Sequence, residues 1–168
     1  MSTYLRLRAV PAPALRNSPA WLERLFASDA EALQHRAGRC GRCPDEVLDV
    51  CSPNQERIYT GAPPDAPGSR PQAQVVLGGC PVLRTDRREP PLLVLTAAQT
   101  RRVAGFLEHA DFDALWDLAR DRLLPAYGGM PAEPETSRAF AMTHRELRAF
   151  YAHAAQCGKA VVKRRSRV

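Results

Sequence analysis

THRELRAFYAHAAQCGKAVV, residues Thr143 to Val162, holds the two periodicities that decide the fold. Together with Phe140 just before it, His144, Leu147, Tyr151 and Ala154 recur at i, i+4, i+7, i+11 and i+14. That spacing puts them on one face of a helix. Phe150 widens the stripe, and Arg145, Glu146 and Arg148 fall on the opposite side. Thr143 and Glu146 have the spacing of a capping box, which predicts a helix start or restart at Thr143. Gly158 stands where a left-handed C-cap would end the helix. Ala160, Val161 and Val162 then have the β-branched character of a strand. Phe150 and Tyr151 read as core packing, and His144, alone on an apolar stripe, as a satisfied core histidine.

Working outward, Thr3 to Val10 alternates loosely, with Leu5, Leu7 and Ala9 on one side, and predicts a first strand. Ser18 and Pro19 form a helix start, after which Leu22, Leu25, Phe26 and Leu33 share a face. Asp45 to Val50 is expected to begin a helix. Ser52 and Pro53 open another, which Gly61 ends. Residues 62–71, rich in proline, are expected to form an internal loop. Val75 to Gly79 is apolar and then turns. Leu92 to Leu95 predicts a buried strand, followed at once by the capping box of Thr96 and Gln99. Val103, Phe106 and Leu107 give that helix its inner face. Asp111 caps the next, where Phe112, Trp116, Ala119 and Leu123 keep helical spacing. Met130 to Thr136 is expected to be a loop. These elements predict an α+β fold over residues 1–168, a single domain with a small mixed sheet and several packed helices.

At 168 residues with 45% apolar and 25% charged content, the chain can bury one sizeable core. No apolar run reaches the roughly 18 residues of a membrane-spanning helix. The N-terminal MSTYLRLRAV lacks the long apolar segment and cleavage site of a signal peptide, so the expected location is the cytoplasm. Five cysteines, an odd count, suit free thiols better than a disulfide framework. Charge is uneven. Residues 137–168 carry eight Arg or Lys against one acid, while residues 1–136 carry sixteen basic and seventeen acidic residues. The densest part, Lys163, Arg164, Arg165 and Arg167, lies in residues 163–168, which are expected to form a flexible basic tail and a contact for an acidic partner. Twenty-two Arg against two Lys marks a compositional bias, not a phosphate-binding pattern. Aromatic content is only 7%, with no glycine and aromatic pattern of an RNA-binding sheet. Nucleic acid is therefore unsupported beyond the tail, and the expected partner is another protein.

Cys40 and Cys43 form a CxxC. That spacing lets two thiols chelate one metal or close a small disulfide loop. Three readings stand open. His35, Cys40, Cys43 and Cys51 have the residue types of a tetrahedral zinc site, although a second CxxC or HxxxH is absent. Arg39 and Arg42 favour thiolate for a redox pair, although no strand of the thioredoxin type precedes it. The plain reading is two incidental thiols in an arginine-rich loop. Cys80 and Cys157 are expected to be structural. No GxSxG elbow, Walker loop or dinucleotide fingerprint occurs, and the four histidines are scattered. No catalytic or cofactor-binding residue is thus indicated. Asp113, Asp117 and Asp121 share a helical row, and the nearby Arg120 and Arg122 mark it as a solvated charged surface.

Several motifs, taken in order, resemble the YfbM-like proteins (domain of unknown function 1877) of bacteria. They are the N-terminal Tyr4-Leu5-Arg6 strand, Val76 to Gly79, the Leu95-Thr96 strand end with Gln99 opening a helix, and Leu147 to Tyr151 followed by Gly158, Ala160 and Val161. The resemblance implies one α+β domain with no established catalytic residues. The family's first half usually bears a tryptophan helix ending in Leu-Thr-Gly. Here Thr60 and Gly61 remain, Asn54 or Gln55 replaces the tryptophan, and Pro53 is expected to interrupt. The leading expectation is a non-enzymatic binding or protein-interaction domain. The alternative is a metal-binding or thiol-redox protein built on the Cys40/Cys43 loop.

Overall fold

The structure, a computed structural model, describes residues 3–27, 48–61 and 70–167. Its strands are β1 (Thr3–Val10), β2 (Leu48–Cys51), β3 (Cys80–Val82), β4 (Leu92–Leu95) and β5 (Ala160–Arg167). Its helices are α1 (Pro19–Arg24), α2 (Ser52–Thr60), α3 (Pro71–Gln74), α4 (Ala97–His109), α5 (Phe112–Leu123) and α6 (Glu133–Gln156). One five-stranded sheet runs in the order β2-β1-β5-β4-β3. The fold class is α+β. The four strand pairings among the described residues are all antiparallel, in place of the mixed sheet expected from sequence. Side-chain alternation reports which face a residue occupies, not which way its neighbour runs.

The last strand is the middle of the sheet. β5 pairs with β1 from Thr3↔Arg167 to Val10↔Ala160, and with β4 from Leu93↔Lys163 to Leu95↔Val161. Residues 163–167 are therefore strand, not a flexible tail. The basic run conceals a period of two, which sends successive side chains to opposite faces.

Leu5, Leu7, Ala9, Leu95 and Val161 face a core built with Val103 and Leu107 of α4 and Leu147, Phe150, Tyr151 and Ala154 of α6. Each fully buried Val or Leu among them contributes about 1.5–3 kcal/mol. The opposite face buries Val10, Leu92, Ala160 and Val162 beneath Leu22 of α1 and Phe26. A third cluster joins Ile58 of α2, Trp116, Ala119 and Leu123 of α5, and Phe140 of α6.

The Thr96–Gln99 capping box and the Ser18 and Asp111 caps form as the sequence predicts. The box at Thr143 does not. Helix α6 begins at Glu133, inside the expected Met130 to Thr136 loop, with Pro134 in its first turn. Thr143 lies within it and donates its hydroxyl to the Ala139 carbonyl at 3.3 Å. Residues 139–142, Ala, Phe, Ala and Met, contain no helix breaker and are already in register, so nothing stops the helix before Thr143. Leu48 to Cys51 is strand β2 instead of a helix start, because β1 offers it an edge. β3 is a further strand, and Pro81 is tolerated there because β3 is an edge.

Two glycines are held by different constraints. Gly158 has φ +63° as the predicted C-cap, and a Cβ there would meet nothing within 4 Å. At Gly78 a Cβ would press directly against the Ala73 carbonyl. Gly158→Ala is expected to cost about 1 kcal/mol, the backbone penalty alone. Gly78→Ala is expected to cost about 3 kcal/mol, the upper end for forced overpacking. Equal losses in denaturant unfolding would contradict this placement of the turn.

Candidate functional site

Gly78 closes a turn over the most polar part of the interior. Lys163 lies on the helix-facing side of β5, opposite Leu7 and Leu93 in the two pairings, and is 0% exposed. Its ammonium donates to the carbonyls of Gln74, Val75 at 3.3 Å and Gly78 at 2.9 Å. Two of these carbonyls lie at the C-terminal end of α3, where the helix leaves its acceptors unpaired and carries partial negative charge. From α6, the Tyr151 hydroxyl donates to the Val75 carbonyl at 2.7 Å. From α2, Glu56, also 0% exposed, accepts the Leu77 amide at 3.0 Å. Carbonyls are thus held by a cation and a phenol, and an amide by a carboxylate.

Burial pushes the Glu56 carboxyl well above the usual range, against the opposing pull of the Leu77 amide and Lys163. Burial pushes the Lys163 ammonium well below its usual range, opposed by the Glu56 charge. Strongly displaced ionisable groups often mark reactive sites. Here both are enclosed, and their hydrogen bonds go to the backbone of residues 74–78.

Beside them runs a second polar chain. Gln55 Nε2 donates to the Tyr59 hydroxyl at 3.1 Å, and Tyr59 lies 3.1 Å from His144 Nδ1. The consistent arrangement has Tyr59 donating to an unprotonated Nδ1. Burial, and then Arg148, holds the His144 ring below its usual range, which keeps Nδ1 an acceptor. His144 is 4% exposed and packs against Tyr59 and Phe112, as a satisfied core histidine. Gln55 and Asn54 stand where the tryptophan was expected. Helix α2 persists, with Pro53 in its first turn instead of interrupting it. Gln55 is buried on Tyr59, and Asn54 donates to the Tyr127 hydroxyl at 2.7 Å.

The remaining sequence candidates are dispersed. His35, Cys40 and Cys43 lie outside the described residues, and Cys51 ends β2 paired with Tyr4. Among the described residues, no three His, Cys, Asp or Glu side chains are grouped to hold a metal. Cys80 and Cys157, expected to be structural, are both exposed. Lys163 is sealed inside, so it is unavailable as an outer contact. Arg164 is half-buried opposite Arg6, and Arg165 is half-buried opposite Leu5. Burial, followed by Arg84 and Arg6, lowers the Arg164 proton affinity. Arg167 pairs with Thr3 at the strand end. Asp113, Asp117 and Asp121 are exposed, and Arg120 pairs with the last two, as a solvated face should. No helix among the described residues is long and apolar enough to cross a membrane.

One surface feature escaped the sequence reading. A groove of about 420 Å3 runs between α4 and α6. Ala104, Gly105, Ala152 and Ala155 line it, with Arg101, Glu108 and Arg148 at its rim. Gly105, in the interior of a helix, was the available signal.

Residues 1–163 match the family described as Domain of unknown function (DUF1877). The chain belongs to the DUF1877 family. No curated protein matches it. The crystal structure of YfbM, a protein of unknown function from Escherichia coli, is similar at 15% identity and a TM-score of 0.58, covering 97% of this chain and 98% of that one. At that identity the likeness establishes a shared fold. In this DUF1877 chain, the polar interior pins one turn, and the open groove lies on the outer face of the helices.

Removing either charge withdraws a favourable electrostatic neighbour from the other in the buried interior. Lys163→Met and Glu56→Gln are each expected to lose about 3–5 kcal/mol. The double variant is expected to lose at least about 1 kcal/mol less than their sum. Strict additivity in urea unfolding would show that the two charges are not coupled.

Proposed function

We propose that this chain is a non-enzymatic protein-interaction domain and that the groove between α4 and α6 is its contact surface. Gly105 carries this reading. Glycine in a helix interior costs about 1 kcal/mol relative to alanine. A Cβ at Gly105 would meet nothing within 4 Å, so internal packing does not require glycine there. Glycine in a regular element suits the close approach of another backbone. The neighbouring lining residues are also small, and the rim is charged, as at a small apolar contact with a polar edge. The placement of Glu56 and Lys163 supports the same reading, since both serve the turn at residues 74–78.

Gly105→Gln places a long side chain in the groove and improves helix propensity. The variant is expected to be at least as stable as the wild type and to lose about tenfold or more of its binding to proteins captured from the native lysate, further copies of itself included. Capture unchanged by the substitution, with the fold intact by circular dichroism, would remove the groove from the account.

A further inference from the structure

The charges on the α4 wall of the groove are arranged so that this wall complements itself. Arg101, Ala104, Gly105 and Glu108 stand at i, i+3, i+4 and i+7 of α4, on one helix face. Read in either direction, this row has a charge at each end and two small residues between. Its midpoint lies between Ala104 and Gly105. A half-turn about that point exchanges Arg101 with Glu108 and Ala104 with Gly105. Arg101 and Glu108 are about 10 Å apart along the helix axis. Both are exposed, and neither makes an ion pair among the described residues. Arg148, also exposed, adds a second cation on the α6 wall.

We infer that the occupant of this groove is the same groove of a second copy, with the two α4 helices crossing antiparallel about a two-fold axis. This rests on the interaction reading above and names its partner. The contact is isologous, the commonest kind in homodimers. Each Arg101 faces Glu108 of the partner subunit, so the ion pair forms twice. Ala104 of each copy lies over Gly105 of the partner subunit. With no side chain at Gly105, the helix axes can approach at the short end of the usual 8–10 Å range. The chain carries a net charge of +6, which opposes self-association at long range. The opposite charges at the two ends of the row make this face locally complementary.

Charge exchange tests the geometry. Arg101→Glu sets two acids against each other at both ends of the contact, and Glu108→Arg sets two bases. Each variant alone is expected to dimerise about tenfold or more weakly than the wild type in sedimentation velocity across the micromolar range. Mixing the two variants is expected to restore the dimer, because every cross-pair is then complementary. The chain carrying both substitutions is expected to dimerise with itself. A monomeric wild type, single variants that dimerise normally, or a mixture that stays monomeric would each overturn the two-fold contact. If the wild type is monomeric while Gly105→Gln still abolishes capture of a different protein, the self-pairing fails and the interaction reading stands. If the wild type is monomeric and Gly105→Gln leaves capture unchanged, both fail.

Discussion

The ammonium of Lys163 is the point on which the interior converges. It projects from the central strand into an apolar core, where an unpaired charge would be strongly unfavourable. Three backbone carbonyls and the nearby Glu56 carboxyl offset that cost. A compact ammonium with three donors suits three convergent carbonyls, whereas a planar guanidinium matches a carboxylate or phosphate. In a chain with twenty-two arginines and two lysines, the base at this position is a lysine. It ties β5 to the turn after α3, and α2 and α6 join at the same turn. Tyr151 and Glu56 hold the same turn from two sides, and Gly78 lets its backbone approach Ala73.

Much of the helical layer was legible because its signals are local. The stripe through Phe140, His144, Leu147, Tyr151 and Ala154 is buried as its period requires. The box at Thr96 formed and the one at Thr143 did not, although both have the same spacing. What separates them lies upstream. A buried strand ends before Thr96, whereas a helix already in progress runs through Thr143 and absorbs its hydroxyl. The short strands β2 and β3 were illegible for a different reason. Unlike Leu92 to Leu95 they carry no continuous apolar run, and their state depends on the edge that a distant strand offers.

The interior and the groove were hidden by composition. A run of Lys163, Arg164 and Arg165 looks solvated when read as charge. On a central strand its members divide between two faces, and only the register with Leu7 and Leu93 reveals which is buried. No spacing rule joins Glu56, Tyr151 and Lys163 to a turn near residue 76, because each arrives on a different element. The groove left one trace in the sequence, a glycine inside α4, whose meaning depended on the empty space above it. The family assignment accords with this division. Of the motifs that carried the resemblance, Val76 to Gly79 and Tyr151 build the clamped turn and Ala160 with Val161 the strand beneath it, while Tyr4 to Arg6 and Leu95 to Gln99 lie on β1, at the end of β4 and at the start of α4.

The central claim is that the buried charges serve the scaffold by holding the turn at residues 74–78. Amide hydrogen exchange at Leu77 in wild type and Lys163→Met tests it most directly. The wild-type amide, donated to buried Glu56, should exchange only through opening of the core. In the variant, Leu77 should lose far more protection than Leu147 in the middle of α6, since the turn is released before the helix layer is. Equal loss at both positions, or unchanged protection at Leu77, would contradict the account.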